Sequence, residues 1–562
     1  MFGNFRAPAN FYKLLYMNRP IFRVCLSLGF VVLYQSAFAQ NGLFNTDNVW
    51  SVAGIGVVML LVLGVILQVA DNLLVIEGKQ TGADRSGANF SIFPSWSEIT
   101  RSKLPSYVPR ERTKVLDAGY DIPLKGRPTD VVSNSPSVNT YSISPKDFTP
   151  MSPIPKVLVE VGDSVKAGQP VFFDKKRPDV QYVAPVSGEV IEIERGEKRS
   201  IANIKILADK TQVFEQLELP DLNNRRALVD FMIGNGVWPL FRQRPFNVVP
   251  DVDDLPRDIF VTTFDTAPQS PNLNLAVQGE EAHFQKGLDV LNALTPGKVY
   301  LGLSANKDHT PADVYQNARN VEQRYFKGAH PAGNVGVHIH HTAPIGSGND
   351  KVWTISVHDV LLLGRLFTTG QYDTSRVISL SGHLFAEPRH IKTRRGANVG
   401  ELVKGQLVGE GGIRLVTGDL LSGHQVAPED FLSFYDDQLT CLAEGNYYEM
   451  FGWLLPTGVK PSYSPTLPVN LFPGVEFEPD TNTHGERRAF VYTGEYERVL
   501  PMDVLVQQLM KAIMINDFEN MEGLGIYEVV EEDVALCEFV CTSKQPLQTI
   551  LRRGMDLVRS QG

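Results

Sequence analysis

The hydrophobic pattern divides the chain into blocks, and the first block is the plainest. No charged residue lies between Asn48 and Ala70. Its core, VAGIGVVMLLVLGVILQVA (52–70), is long enough to cross a hydrocarbon layer of about 30 Å. A shorter apolar stretch precedes it. PIFRVCLSLGFVVLYQSAFAQ (20–40) follows basic residues and ends in Ala37-Phe38-Ala39 before Gln40, the layout of a secretory signal with an A-x-A cleavage site. Arg6, Lys13, Arg19 and Arg23 mark the start, the loop 40–48 holds no Lys or Arg, and Lys79, Arg85, Arg101 and Lys103 follow. By the positive-inside rule the loop faces outward and residues 71–562 lie on the cytoplasmic side, whether or not the first stretch is cleaved. Residues 1–70 are therefore expected to be a signal-like segment and transmembrane anchor in the inner (cytoplasmic) membrane.

Residues 71–115 contain GKQTGADRSGAN and no sustained apolar period, and they read as a tether. From 116 to 215 the period shortens to that of strands. Runs such as Val157 to Val161 and Val171 to Phe173 are split by Gly-Asp, Ala-Gly and Ser-Gly turns. The pattern VGDSVKAGQPV…APVSGEV resembles the flattened β barrel-sandwich of biotinyl and lipoyl carriers, where a hairpin tip presents a modified lysine. Lys175 is the matching position, but its interval to Ala184-Pro185 is longer than the lipoyl pattern and contains Pro178. A proline-bent loop with a solvated Lys175-Lys176-Arg177 face is expected, and a modified carrier lysine at Lys175 or Lys176 is the alternative.

Residues 216–395 alternate strand and helix. RDIFVTTFD (257–265) is followed by a helical stripe of Phe284, Leu288, Leu291 and Leu294, then by KVYLGLS (298–304), DVLLLGRLFTTG and RVISLSG (376–382). This is the pattern of a Rossmann-like α/β domain with a largely parallel sheet. No GxGxxG or GxxxxGK[ST] joins a strand to a helix, so no phosphate cradle for a nucleotide is expected. Residues 396–445 place Gly-rich turns between short apolar pieces, a small mixed β module. Residues 446–562 begin aromatic, proline-rich and irregular, and end in helical spacing from DVLVQQLMKAIMINDF onward.

Composition narrows the function classes. A chain of 562 residues exceeds a single core, and 43% apolar with 21% charged residues is ordinary for folded protein. A net charge of −10 without a basic stripe gives counterion release little to work with, so no nucleic-acid partner is expected. Four cysteines make no disulfide framework. Two of them share EEDVALCEFVC, where three acids suit the start of a helix. On a continuous helix, Cys537 and Cys541 would have Cβ atoms about 5–6 Å apart, wider than the ~3.5–4.5 Å of a disulfide. Cys441 and Cys25 are remote in sequence, so this chain alone does not complete a four-thiolate cluster. In HPAGNVGVHIHH (330–341), His338 and His340 share a face if the segment is a strand, with His330 and His341 nearby. No Cys, Asp or Glu lies among them, so hydrogen-bonded histidines rather than a zinc set are expected.

Several stretches taken in order resemble the NqrA family, the A component of the sodium-translocating NADH:quinone oxidoreductases. They are VGDxVKxGQ with FFDKKRPDV and APVSGEV, GVWPLFRQRPF, GLDVLNALTPGKVY, HPAGNVGVHIHH, MFGWLLP, YERVLPMD and EEDVALCEFVCTSK. The likeness runs from about GYDIPLKGRP at 119 to the C-terminus. The family ends in C-x-F-V-C-P-G-K, from which Thr542 and Ser543 depart, and the anchor has no counterpart in its usual member. The fold implied is a biotinyl/lipoyl-like barrel-sandwich, a Rossmann-like domain, a small β-grasp-like (SLBB) module and a C-terminal helical region behind the N-terminal transmembrane segments. The resemblance also implies a six-subunit complex that oxidises NADH with quinone and exports sodium. FMN, FAD, riboflavin and iron–sulfur centres would belong to the other five subunits, and none to this chain. The layout further resembles the C component of the Rnf ferredoxin:NAD oxidoreductase, which gives a second alternative, and the flavin-binding component of respiratory complex I. The full cluster cysteines and the flavin component's glycine-rich loop are missing here. The NqrA family is associated with quinone. In GVWPLFRQRPF (236–246), Trp238, Phe241 and Phe246 would flank the ring or its tail, and Arg242 or Arg244 would donate to a carbonyl. Ordinary packing with surface arginines is the competing reading. No catalytic residue and no metal ligand is assigned. Neither apolar stretch carries an ionisable residue past Arg23, so the anchor is not expected to conduct sodium.

Overall fold

The computed structural model describes residues 49–80, 104–133, 136–409, 411–448, 462–463 and 474–561. The chain divides into two compact units, Met1–Lys103 and Leu104–Gly562. In the first, the described residues form one helix, α1 (Val49–Gln80). It continues through Asp71 and Glu77, so the tether expected from 71 begins as helix. Met59 and Leu60 are 68% and 69% exposed, and Val62, Leu63 and Ile66 are exposed beside them. The signal-like stretch lies outside the described residues. Among the described residues no helix is long and apolar enough to cross a membrane; side chains are described without a break only over 56–71. The described structure therefore gives the expected transmembrane segment no support.

The second unit is built around a parallel sheet. Its strands are β1 (Thr113–Val115), β2 (Arg242–Arg244), β3 (Ile259–Thr262), β4 (Val299–Ser304), β5 (Glu322–Lys327) and β6 (Val352–Ser356), in the order β1-β5-β4-β3-β6-β2. All neighbours run parallel except the edge pair β2 and β6. Central β3 is almost wholly buried, as a sheet covered on both faces requires, and this explains its unbroken apolar run. Helices α2 (Glu281–Leu294) and α4 (Val357–Thr369) pack tightly against each other. Gly364 permits this, because a Cβ there would overlap the His283 carbonyl.

Two boundaries differ from those expected. The strand Ser375–Ser381, read from sequence as part of the Rossmann-like domain, pairs with Arg389–Arg394 and Gln438–Ala443 in a second six-stranded sheet. The small β module therefore begins near 375, not 396. Its far edge is Thr129–Ser133, a strand from the segment assigned to the barrel, while β1 comes from the segment assigned to the tether. A strand's alternation is local and does not say which sheet will accept it, so short edge strands can be recruited from anywhere along the chain.

The barrel-sandwich starts at Thr140 and pairs Thr140–Ile143, Ile201–Ala208, Gly188–Arg195 and Ser164–Val165 in one sheet, with Lys156–Val157, Pro170–Asp174 and Arg177–Val183 in the other. Phe172 and Tyr182 stack inside it at 4.7 Å. The expected proline-bent loop is not there: Asp174 pairs with Arg177, and Lys175-Lys176 form a tight two-residue turn with both side chains exposed. The Asp174 Oδ1 accepts the Lys176 N–H at 3.1 Å, closing the turn, and Pro178 is absorbed into the second strand. Beyond the second sheet lie the helices Val506–Met514, Phe518–Gly523, α5 (Glu531–Val540) and α6 (Leu547–Gln561), which enclose a separate apolar core. Glu531, Glu532 and Asp533 occupy the first turn of α5, and Cys541 caps its end rather than continuing it.

Candidate functional site

In parallel α/β sheets, ligands bind beyond the C-terminal ends of the strands. Here two loops meet at that end. The loop after β3 runs through Asp265 and Thr266, and the loop after β5 carries His330 to Asn334 into α3 (Val335–Thr342). Thr266 Oγ1 lies 3.2 Å from His330 Nδ1 and accepts the Gly333 N–H at 2.9 Å. Asp265 Oδ1 accepts the Ala267 N–H at 2.8 Å. Burial pushes the Asp265 carboxyl up to about 7 and His330 down to about 4. The space left beside Thr263, Asp265, Asn272, Ser304 and His309 is about 10 Å³, room for one water at most.

The histidine segment is a helix, α3, not a strand. Residues two apart on a helix point to nearly opposite sides, so His338 and His340 separate. His338 stacks on Phe326 at 3.9 Å, with Nε2 2.8 Å from the Ala332 carbonyl. His340 Nδ1 is 2.6 Å from Glu528 Oε2, and His341 Nε2 is 2.7 Å from the Pro501 carbonyl. Among the described residues no three His, Cys, Asp or Glu side chains gather as a metal set.

The five quinone-site candidates fall into three environments. Trp238 and Phe241 are 0% exposed. The Trp238 indole N–H donates to the Pro250 carbonyl at 2.9 Å, and both rings pack on Trp353 at 5.0 and 5.2 Å. Arg242 donates to Asn247 Oδ1 at 3.1 Å and lies 4.6 Å from the centre of the Tyr435 ring. Arg244 pairs with Glu532 at 2.6 Å and Asp533 at 3.3 Å. Half-buried Phe246 meets Tyr527 edge-on at 5.9 Å, and its carbonyl accepts from Arg552 at 3.0 Å. Arg242, Arg244 and Phe246 tie the α/β domain to its neighbours, Trp238 and Phe241 sit in the core, and the five do not gather around one space.

A cavity of about 1150 Å³ lies elsewhere, bordered by Leu124, Leu421, Tyr463, Phe539, Cys541 and Lys544, and none of the five candidates lines it. Nothing in the sequence pattern pointed to it, because its walls come from many separate stretches of chain, from Ile122 to Gln548. Cys441, Cys537 and Cys541 are free and buried. Cys541 Sγ accepts from the Tyr496 hydroxyl at 2.9 Å and from the Gln545 N–H at 3.4 Å. Burial pushes the Cys537 thiol up and Cys441 to about 12, so neither is a ready thiolate. Sequence reading also passed over Asp533, which sits against the first turn of α3; its one signal was the acidic start of α5.

Three family models match the chain. They are the NqrA N-terminal barrel-sandwich hybrid domain over residues 115–209, the NqrA second alpha/beta domain over 223–372, and the NQRA C-terminal domain over 377–427. The A component of the Na(+)-translocating NADH-quinone reductase of Saccharophagus degradans is 37% identical over 450 residues, 79% of this chain and 99% of that protein. Proteins of the same name from Rhodopirellula baltica and Vibrio alginolyticus are 37% and 36% identical, each over 80% of this chain and 98% and 99% of their own. An NAD+-reducing [NiFe]-hydrogenase in the H2-reduced state is similar over 40% of this chain and 47% of its own, at 12% identity and a TM-score of 0.29, too weak to carry an argument. With the barrel-sandwich, α/β and C-terminal models matched in order, and relatives covered almost end to end, the chain belongs to the NqrA family of Na(+)-translocating NADH-quinone reductase components.

Proposed function

We propose that this chain works as the cofactor-free NqrA component of a sodium-pumping NADH:quinone reductase, a part of the enzyme without a catalytic centre of its own. The observation that carries the reading is the 37% identity extending over 99% of a relative bearing that name. Five partner subunits hold FMN, FAD, riboflavin and iron–sulfur centres in this reading. Purification from detergent-solubilised membranes tests it: five co-purifying proteins with flavin and NADH oxidation support it, and recovery of a lone chain overturns it.

Two finer statements belong to the same proposal. The charge-free apolar stretch 48–70 and the basic residues on either side of it support an anchor in the inner membrane with residues 71–562 on the cytoplasmic side. Alkaline extraction separates the outcomes: an anchored chain stays with the membrane and a peripheral one is released. The segment 236–246 contributes to quinone binding through half-buried Arg242 and Phe246, with Trp238, Phe241 and Arg244 holding it in place. Arg242→Ala and Phe246→Ala are expected to weaken quinone affinity of the assembled complex, and unchanged affinity and turnover remove the site. The tight turn at Lys175-Lys176 favours one competing reading, a lipoyl or biotinyl carrier. Added lipoyl or biotinyl mass on the intact chain would replace the cofactor-free reading.

A further inference from the structure

The chain carries a net charge of −10, yet one edge of the α/β sheet is basic. Arg110 and Arg112 precede β1 and Lys114 lies within it, and all three are exposed. The register sets Lys114 opposite Phe326 of β5 and Val115 opposite Lys327. Arg324 stands two residues before Phe326 on β5. Exposed Lys307 is close enough to Lys327 to add to the burial that holds the Lys327 ammonium below the ordinary lysine range. Among the described residues, Arg110, Arg112, Lys114, Lys307 and Arg324 form no ion pair. The acids beside them are fewer: Glu111, Asp117, Asp308 and Glu322, and Lys298 already pairs with Glu322 at 3.1 Å. Lys298 first, then Arg324 and Arg112, hold the Glu322 carboxyl below the ordinary carboxylate range, which places both arginines near it. Separate stretches of chain supply these cations, so no basic run marks the edge in the sequence.

Unpaired cations gathered on an otherwise acidic protein attract a partner of opposite charge. Their place in the chain indicates which one. β1 is the first strand after the unit Met1–Lys103, so in an anchored chain it is the first sheet strand reached from the bilayer. Basic residues following a membrane anchor on the cytoplasmic side face a leaflet rich in anionic lipid. Val115, 42% exposed among them, adds an aliphatic side chain suited to the headgroup region. We propose that the β1 edge, through Arg110, Arg112, Lys114, Lys307 and Arg324, is a docking surface for the anionic lipid headgroups of the membrane that holds the chain. The proposal rests on the anchor reading above. The attraction fades within about 8 Å at physiological ionic strength, so it acts on a surface the anchor keeps close to the bilayer.

The test uses the full chain in nanodiscs of phosphatidylcholine, alone or with about one-third phosphatidylglycerol, and reads amide hydrogen exchange. Residues 108–116 are expected to exchange about threefold more slowly in the anionic discs. Sodium chloride at about 0.5 M should abolish the difference. The Lys175-Lys176 turn, also basic and exposed, is expected to show none. Arg110→Gln, Arg112→Gln and Lys114→Gln together remove the slowing and leave the thermal midpoint unchanged, because these side chains are exposed and unpaired. Equal exchange at 108–116 in the two discs, a slowing retained by the triple variant, or the same slowing at Lys175-Lys176 overturns the proposal. So does a stronger slowing by a DNA duplex added to the neutral discs, which would assign the edge to nucleic acid. Alkaline extraction judges the anchor separately: a released chain removes that reading, while the lipid effect is still read with the discs simply added.

Discussion

Trp238 spends its indole N–H on the Pro250 carbonyl and its ring on Phe241 and Trp353. Trp238→Ala would leave a large void, so it is expected to cost about 3–5 kcal/mol of stability, read by denaturant unfolding. A drop in quinone turnover in that variant would report the fold, which is why Arg242 and Phe246 make the cleaner test. Asp265 gives a pH signature. Its carboxyl is raised to about 7 by burial, so its contribution to stability is full below the ordinary value of 3.8 and is lost as pH rises through 7. His330 and His338, both lowered to about 4 by burial, act oppositely: their contribution is present above their ordinary 6.5 and is lost as pH falls through 4. From pH 8 down to 6.5 the Asp265 contribution rises by roughly 1 kcal/mol while the two histidines together give up a similar amount, so the net change is small. Asp265→Asn removes only the acid's share, so its stability relative to the wild type should fall as pH drops across the window in thermal melts. Residue types were legible in sequence, with Trp238, Arg244 and the histidines all standing out. Their surroundings were not, because an aromatic ring suits a core and a ligand equally well.

The helix α3 shows why an element can be misread. V-G-V-H-I-H alternates in the manner of a strand, yet the segment is helical and its alternate residues part to different sides. The lysine hairpin failed in the other direction: Pro178 suggested a bent loop, but the Asp174 carboxylate closes a tight turn and the proline is accommodated in the next strand. The junction of β2 with α5 makes a prediction at this scale. Arg244→Met strands the buried Asp533 without its guanidinium and is expected to cost about 3–5 kcal/mol. Glu532→Gln, whose carboxylate is 41% exposed, is expected to cost under about 1 kcal/mol. Thermal melts of the two variants side by side check the ranking; equal losses would mean that Asp533 is not the partner that matters. The start of α5 was legible from its three acids, and its C-terminal cap at Cys541 was not.

For the whole molecule, the division at Lys103 predicts that residues 104–562 fold by themselves. That fragment encloses its own apolar cores, so its unfolding midpoint should match that of the same region in the full chain, by calorimetry or tryptophan fluorescence. A large fall would show that the first unit contributes to folding. The order of domains, the parallel sheet, the helical end and the family were all readable from sequence, because periodicity, turn residues and ordered motifs are local properties of the chain. Tertiary structure alone decided that Thr129–Ser133 and Ser375–Ser381 belong to one sheet and that β1 joins another. It alone placed Arg244 and Asp533, 289 positions apart, against one helix end. The reason is that burial and charge pairing depend on which distant surfaces meet, and no local pattern records that.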